Sequence, residues 1–414
     1  MMNKLTLITL TLLTTMVLQA QSQVDEQVLP GGGTDVAMTK DHMAVVVTGG
    51  VDFYDMNYAT FKWDKIQSSG LPDAVSVDID GEFAIVGAPT SVTDVEYLYG
   101  IRGNDTTTFL RYDIAADTWD EMAHLPENAK YGASLTAVGN KIYAIAGSGS
   151  GAFYVYDIPT NTWDTVKKTD GSNVNYFTTI SSNSGGSSIA YDGGHFIYGT
   201  KGLIPAFFGF SNDFSNDFER FDLGNPDGGW VAMQNIPKTH SGFLGSWGGC
   251  AFGCSLASDG TDMYMTEGSS SGFFSVFGGN DSKKVLKYSP SGNSWTDGPE
   301  VGVSVGSGGT MTYDDGKLYL IVGKTGQFFA SHGSKENFVF DFANAGAGWT
   351  ALTLLPEEAA AGAALVFGGS DLYAMRGTDT ATFMQYDFTL NGGVGAWVVQ
   401  TNINTGSGPV AIGP

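Results

Sequence analysis

The chain has 414 residues, with 43 acidic residues against 20 basic ones and a formal net charge of -23. That acidity argues against nucleic acid or an anionic membrane surface as a general partner, because both would repel it. Gly supplies 58 residues and aromatics 13%, which excludes a disordered low-complexity chain and fits packed sheets joined by tight turns; two cysteines are too few for a disulfide scaffold.

At the N-terminus, Lys4, the apolar stretch Leu5 to Leu18 and the small residue Ala20 read as a secretory signal, residues 1–20, too short to span a bilayer. No later apolar run approaches about 20 residues. The mature chain is therefore expected to be a soluble monomer without membrane insertion, either secreted or held at the cell surface or in the periplasm. Residues 21–31 read as an N-terminal segment, 32–401 as a repeat region and 402–414 as a C-terminal segment.

Within the repeat region, seven of the eight tryptophans close one phrase: an aromatic residue, usually an acid, a turn-rich gap and Trp. The copies run from Tyr54-Asp55 to Trp63, Tyr112-Asp113 to Trp119, Tyr156-Asp157 to Trp163 and Phe221-Asp222 to Trp230. Three more follow, from Tyr288-Ser289 to Trp295, Phe340-Asp341 to Trp349 and Tyr386-Asp387 to Trp397. A drifting period of about 50 residues belongs to propellers rather than helical solenoids. Each repeat reads as four antiparallel strands; in the third these are Ala133 to Val138, Lys141 to Gly147, Ala152 to Asp157 and Thr162 to Val166. First-to-second strand turns recur at Lys40-Asp41, Asp80-Gly81, Gly139-Asn140, Asp192-Gly193, Asp259-Gly260, Asp315-Gly316 and Gly368-Gly369, mostly pairs that tolerate positive φ.

Seven turns and seven phrases predict an all-β, seven-bladed β-propeller of four-stranded antiparallel blades. Ring closure is expected from an added strand within 22–29 or 405–413. The second repeat is ambiguous, because Leu98 to Asp105 matches Leu372 to Asp379 of the seventh although Glu82 to Ala88 already follows the turn. Either Pro89 to Glu96 is an insertion, or a small extra hairpin sits there.

The phrase from Tyr156 to Trp163, with that from Tyr112 to Trp119, resembles the kelch-repeat propellers of the galactose-oxidase-like superfamily, over residues 32–401. Kelch blades usually end their second strand with a Gly doublet; here only Gly49-Gly50 does so, and Gly147, Gly268, Gly323 and Gly377 stand alone. The resemblance therefore implies the fold and not an activity. Copper chemistry of the galactose-oxidase kind is disfavoured, since both cysteines lie in one segment. Cys250 and Cys254 are expected to form a small local disulfide, with free or metal-bound thiols as the alternative.

Four antiparallel strands put the b-to-c and d-to-a loops on one face and the short a-to-b turns on the other. In repeats four to six the b-to-c loops lengthen and carry Phe207, Phe208 and Phe210, then Phe273, Phe274 and Phe277, then Phe328 and Phe329; the d-to-a loop after repeat four adds Phe243 and Trp247. These residues form either a private core for the loops or an exposed aromatic platform. The same loops hold Lys201, Lys238, His240, Lys283, Lys284, Lys324, His332 and Lys335. As a cluster these would suit an anionic carbohydrate; alternatively they are solvated loop charges.

The motif Asp78-Ile79-Asp80-Gly81 lacks the closing Glu of a calcium loop and reads as a turn. No phosphate-binding, dinucleotide, nucleophile-elbow or zinc motif is present, and no cofactor or metal is expected. The leading expectation is a secreted propeller that binds an extracellular glycan or surface protein through the loops of repeats four to six. The alternative is a carbohydrate-active enzyme, a lyase of anionic polysaccharide. His240 or His332 would then be the base, and Lys201, Lys238 or Lys335 would neutralise a carboxylate.

Overall fold

The computed structural model describes backbone and side chains for 97–103, 105–130, 132–147, 150–176, 186–202, 215–239, 248–269, 282–324, 333–377 and 382–402. For the strands within 36–87, 203–214, 240–247 and 410–413 it describes the backbone alone. Two compact units result, Met1–Val95 and Glu96–Pro414. The first holds an antiparallel sheet of Val36–Met38, His42–Val47, Gly50–Asn57 and Lys62–Ser69, and a separate hairpin of Ser76–Asp80 with Phe83–Gly87.

The second unit holds six four-stranded antiparallel blades. Blade I is Val410–Gly413, Tyr97–Arg102, Phe109–Asp113 and Thr118–Glu121; blade II is Ser134–Val138, Lys141–Ile145, Phe153–Asp157 and Thr162–Thr165. Blade III is Ser188–Tyr191, Phe196–Thr200, Phe218–Asp222 and Trp230–Ala232; blade IV is Ser255–Ser258, Met263–Thr266, Val285–Ser289 and Ser294–Asp297. Blade V is Thr310–Asp314, Lys317–Ile321, Asn337–Asp341 and Trp349–Ala351; blade VI is Ala364–Gly368, Asp371–Met375, Phe383–Asp387 and Ala396–Val399. Strands are lettered a to d in that order.

The expectation of seven blades is thereby corrected to six. Strands a touch one another in cyclic order: II, III, IV, V, VI, then Val410–Gly413 of blade I, and back to II. No place in that circle is left for a seventh sheet. The Asp80-Gly81 turn counted for the second repeat belongs to the hairpin in the first unit, and strand a of blade I comes from the C-terminal end of the chain. The Tyr54 to Trp63 phrase lies in the N-terminal sheet. There Trp63 pairs with Met56 and Tyr54 with Lys65, across a register shift. In all six blades the aromatic residue and Trp are direct cross-strand partners: Tyr112 with Trp119, Tyr156 with Trp163, Phe221 with Trp230, Tyr288 with Trp295, Phe340 with Trp349 and Tyr386 with Trp397.

The reason for the pairing is packing between blades. Six apolar clusters occupy the six interfaces, including one that joins Leu98, Leu110 and Tyr112 of blade I to Val366, Tyr373 and Phe383 of blade VI. In four interfaces a Phe that opens strand c meets the next blade's aromatic and Trp edge-on. Phe109, for example, lies 4.8 Å from Tyr156 and 4.9 Å from Trp163 between ring centroids. Such aromatic contacts add about 0.5–1.5 kcal/mol beyond area burial.

Three blades add a polar clamp written into the Tyr-x-x-x-x-Asn/Asp-x-Trp spacing. Asp117, Asn161 and Asn293 adopt φ of 50°, 53° and 45° and accept from Tyr112, Tyr156 and Tyr288 hydroxyls at 2.7, 2.8 and 2.8 Å. The same Oδ1 atoms accept the amides of Thr401, Ala123 and Gln234 in the preceding blade, at 3.0, 2.8 and 2.8 Å. The carbonyls of those three residues accept from Trp119, Trp163 and Trp295 Nε1 at 3.0, 2.8 and 2.9 Å. Asn161→Gly keeps the positive φ and loses the clamp, and should cost about 1 kcal/mol. Asn161→Ala adds about 1–2 kcal/mol of left-handed backbone strain. Urea titrations of the two variants should rank them in that order.

Around the axis a cavity of about 260 Å³ is lined by the strands a. Ser134, Ser188 and Ser255 occupy equivalent places there and accept the amides of Ile189, Leu256 and Met311 in the next blade, which satisfies part of each inner edge. The single glycines ending strand b also have a cause. Gly147, Gly268, Gly323 and Gly377 adopt φ of 76°, 76°, 74° and 76°, and a Cβ on Gly268 would lie 2.3 Å from the Phe252 carbonyl oxygen.

Candidate functional site

The b-to-c connections differ sharply in length around the ring. Those of blades I, II and VI are 103–108, 146–152 and 376–382, whereas those of III, IV and V are 201–217, 267–284 and 322–336. The three long ones belong to successive blades, and the d-to-a connection 233–254 between III and IV emerges on the same face. Two of these loops contain hairpins, Leu203–Pro205 with Asn212–Phe214 and His240–Gly242 with Gly245–Trp247.

The loop stems are pinned by polar side chains, which are buried in blades III and IV and exposed in blade V. The residue before the glycine that ends strand b is Arg102, Ala146, Lys201, Glu267, Val322 or Arg376 in blades I to VI. In blade III Lys201, 8% exposed, reaches Asp217 Oδ2 at 3.2 Å and closes the stem of 201–217. In blade IV Glu267, fully buried, accepts the Ser282 hydroxyl at the far end of 267–284. Its other oxygen accepts the Thr239 hydroxyl at 2.7 Å and the Gly249 amide at 3.4 Å. Glu267 thus ties two loops of the same face together. In blade V Lys335 donates to the Pro356 carbonyl at 2.6 Å, and Ser334 pairs with Ala359.

Cys250 and Cys254 form a disulfide, with their Cα atoms 5.2 Å apart, across the turn in which the Cys254 amide meets the Ala251 carbonyl at 2.9 Å. This staple fixes the end of the 233–254 connection, and the fully buried Thr200 Oγ1 lies 3.1 Å from Cys250 Sγ.

Of the residues the sequence singles out, His240 and Trp247 are brought opposite each other as backbone partners in the hairpin. Lys201 is buried against Asp217 instead of facing outward. Lys238 and Lys335 are exposed; Lys283 donates to the Gly302 carbonyl at 3.2 Å and Lys284 pairs with Asp297 at 3.2 Å. Phe207, Phe208, Phe210, Phe243, Phe273, Phe274, Phe277, Phe328, Phe329 and His332 lie outside the described residues.

Sequence reasoning missed four polar groups, three on blades III and IV with their loops and one on the segment that follows blade II. They are Asp217, Glu219, Glu267 and Tyr176, whose hydroxyl donates to the Thr200 carbonyl at 2.6 Å. Burial, with the nearby Asp217 charge, raises the Glu219 carboxyl to about 7, and Lys201 offsets part of that rise. Burial also pushes the Tyr176 phenol far up, with a smaller contribution from Glu219. Among the described residues no group of His, Cys, Asp and Glu is arranged to hold a metal ion, and no helix is long and apolar enough to cross a membrane.

No protein-family model and no curated protein matches the chain in sequence. Solved structures similar to it include YjhT, with TM-score 0.49 and 14% identity over 67% of this chain and 86% of that one. TolB from Acinetobacter baumannii is another, with TM-score 0.46 and 13% identity over 92% of this chain and 82% of that one. Neither likeness bears on what the loops bind; the β-propeller itself stands on the strand pairing and interblade contacts of the second unit.

Proposed function

We propose that the ring is a rigid, kelch-like scaffold that recognises an extracellular glycan or surface protein through the face bearing the long connections of blades III, IV and V. The observation that carries this reading is the unequal loop length around the ring, joined to stems held by Lys201 with Asp217, Glu267 with Ser282, and Lys335 with Pro356. Pinned stems reduce the ordering entropy that a loop loses when it binds, which is how scaffolds convert loop length into affinity. Export rests on residues 1–20, and the disulfide fits an oxidising compartment. The sequence concentrates aromatic residues in these loops, a residue type suited to sugar rings or to an interface anchor.

The test is a glycan array holding neutral and uronic-acid oligosaccharides, probed with the protein and with Phe208→Ser, Phe274→Ser and Phe329→Ser. Each substitution should weaken binding by about tenfold or more while the thermal midpoint stays within a degree or so. Lower midpoints by several degrees with unchanged binding would show that these residues only pack the loops. Absorbance from an unsaturated uronic product, lost in His240→Ala or His332→Ala, would replace recognition with lyase chemistry.

A further inference from the structure

Glu219 sits at the second position of strand c in blade III, paired with Gly199 on one side and Ala232 on the other. The five other blades hold Leu110, Tyr154, Leu286, Phe338 and Met384 at that position. Four of these five, all but Phe338, are buried in interblade clusters, with exposures of 2%, 5%, 1% and 0%. Phe221 and Trp230 lie two residues along on the same face of blade III and belong to the cluster between II and III. Glu219 therefore continues an apolar stripe with a carboxyl group.

Glu219 is half-buried, and its strand-b partner Gly199 is closely covered. The Tyr176 ring fills the space above Gly199, where a Cβ would lie 2.9 Å from that ring and 3.0 Å from Trp230. Glu219 Oε2 is buried and meets no donor among the described residues. The charged and titratable groups that face it are Asp217 two residues earlier, Lys201 at the end of strand b, and the Tyr176 phenol, from the segment that follows blade II. Arg220, the next residue, turns to the other face and lies 4.0 Å over the Phe196 ring.

We propose that Glu219 is a proton-sensitive positioning residue for the stem of 201–217: neutral, it completes the apolar stripe between blades II and III; ionised, it draws Lys201 from Asp217 and loosens the stem. As regulation of loop binding this rests on the recognition reading above, but the behaviour of the stem needs no ligand. Asp217 is the more exposed member of the ion pair, its side chain 41% exposed against 10% for Lys201, and the Lys201 charge also acts on the Glu219 carboxyl. The group is raised from an ordinary 4.5 to about 7, so the folded chain holds the proton more tightly than the unfolded one. The stabilisation is full below 4.5 and is lost as pH rises through about 7.

Two readings over about pH 5 to pH 8 decide it: the thermal midpoint, and amide exchange in peptides covering 201–217, corrected for intrinsic base catalysis. In the unaltered protein the midpoint should fall by a few degrees across that window and the stem should exchange faster. In Glu219→Gln and Glu219→Leu, the second restoring what the other blades carry, both responses should be flat. Asp217→Asn should move the fall to lower pH, because it removes a charge that raises the Glu219 carboxyl. A flat profile in the unaltered protein, or a slope that persists in Glu219→Gln, overturns the proposal. A slope with unchanged exchange in 201–217 overturns it as well, since Glu219 would then act on blade packing alone. If the titration holds while no glycan binds, only the recognition reading falls.

Discussion

Removal of residues 410–413 is expected to abolish cooperative unfolding of the ring. Val410–Gly413 pairs along Tyr97–Arg102, with Ala411 opposite Ile101 and Ile412 opposite Gly100, and touches the strands a of blades II and VI. Without it the edge of Tyr97–Arg102 loses its ladder, and Leu98, Tyr99 and Ile101, now 1%, 5% and 0% exposed, open toward the axis. Exposing three such side chains costs about 1.5–3 kcal/mol each, against a typical domain stability of about 5–15 kcal/mol. The shortened chain should bind a hydrophobic dye and melt without a sharp transition, and a synthetic peptide of residues 405–413 should restore the transition. A sharp melt at the original temperature would mean that the strand is dispensable.

Trp230→Ala is expected to cost about 3–5 kcal/mol in a urea titration. Its ring is 9% exposed and lies 5.1 Å from Phe153, 4.9 Å from Tyr176 and 5.7 Å from Phe221. Two rigid sheets flank the vacated volume, so collapse into it is limited. Trp163, only half-buried, should lose less on the same substitution. Equal losses at the two sites would show that blade contact, and not burial of the particular ring, sets the cost.

The blade pattern was legible because one local phrase states both partners of a cross-strand pair, as Tyr156 and Trp163 do. The number of blades was not. The Tyr54 to Trp63 segment has the same composition yet pairs in a different register, Met56 with Trp63, and a composition pattern cannot reveal register. The first strand of blade I stands about 300 residues from its second, beyond any local periodicity. For the candidate site, loop lengths and aromatic content could be read directly, but the destination of Lys201 could not, since Asp217 meets it only when the stem closes. Glu219 did leave a signal that was missed: aligned strands c read Leu110, Tyr154, Glu219, Leu286, Phe338 and Met384 at one position. A carboxylate among five large apolar residues breaks the consistency expected of a core, and such breaks cluster at functional sites.

The most direct test of the six-bladed ring is a thiol cross-link in the full chain. Blades VI and I are neighbours in the closed circle, and Thr401 donates its hydroxyl to Asp117 Oδ2 at 2.8 Å and its amide to Asp117 Oδ1 at 3.0 Å. The double variant Asp117→Cys with Thr401→Cys, treated with a short bis-thiol reagent and digested, should yield one intramolecular peptide pair joining positions 117 and 401 in high yield. In a ring of seven, the sheet of Val36–Met38 to Lys62–Ser69 would stand between those blades. Absence of the 117 to 401 pair in folded protein would contradict the six-bladed ring.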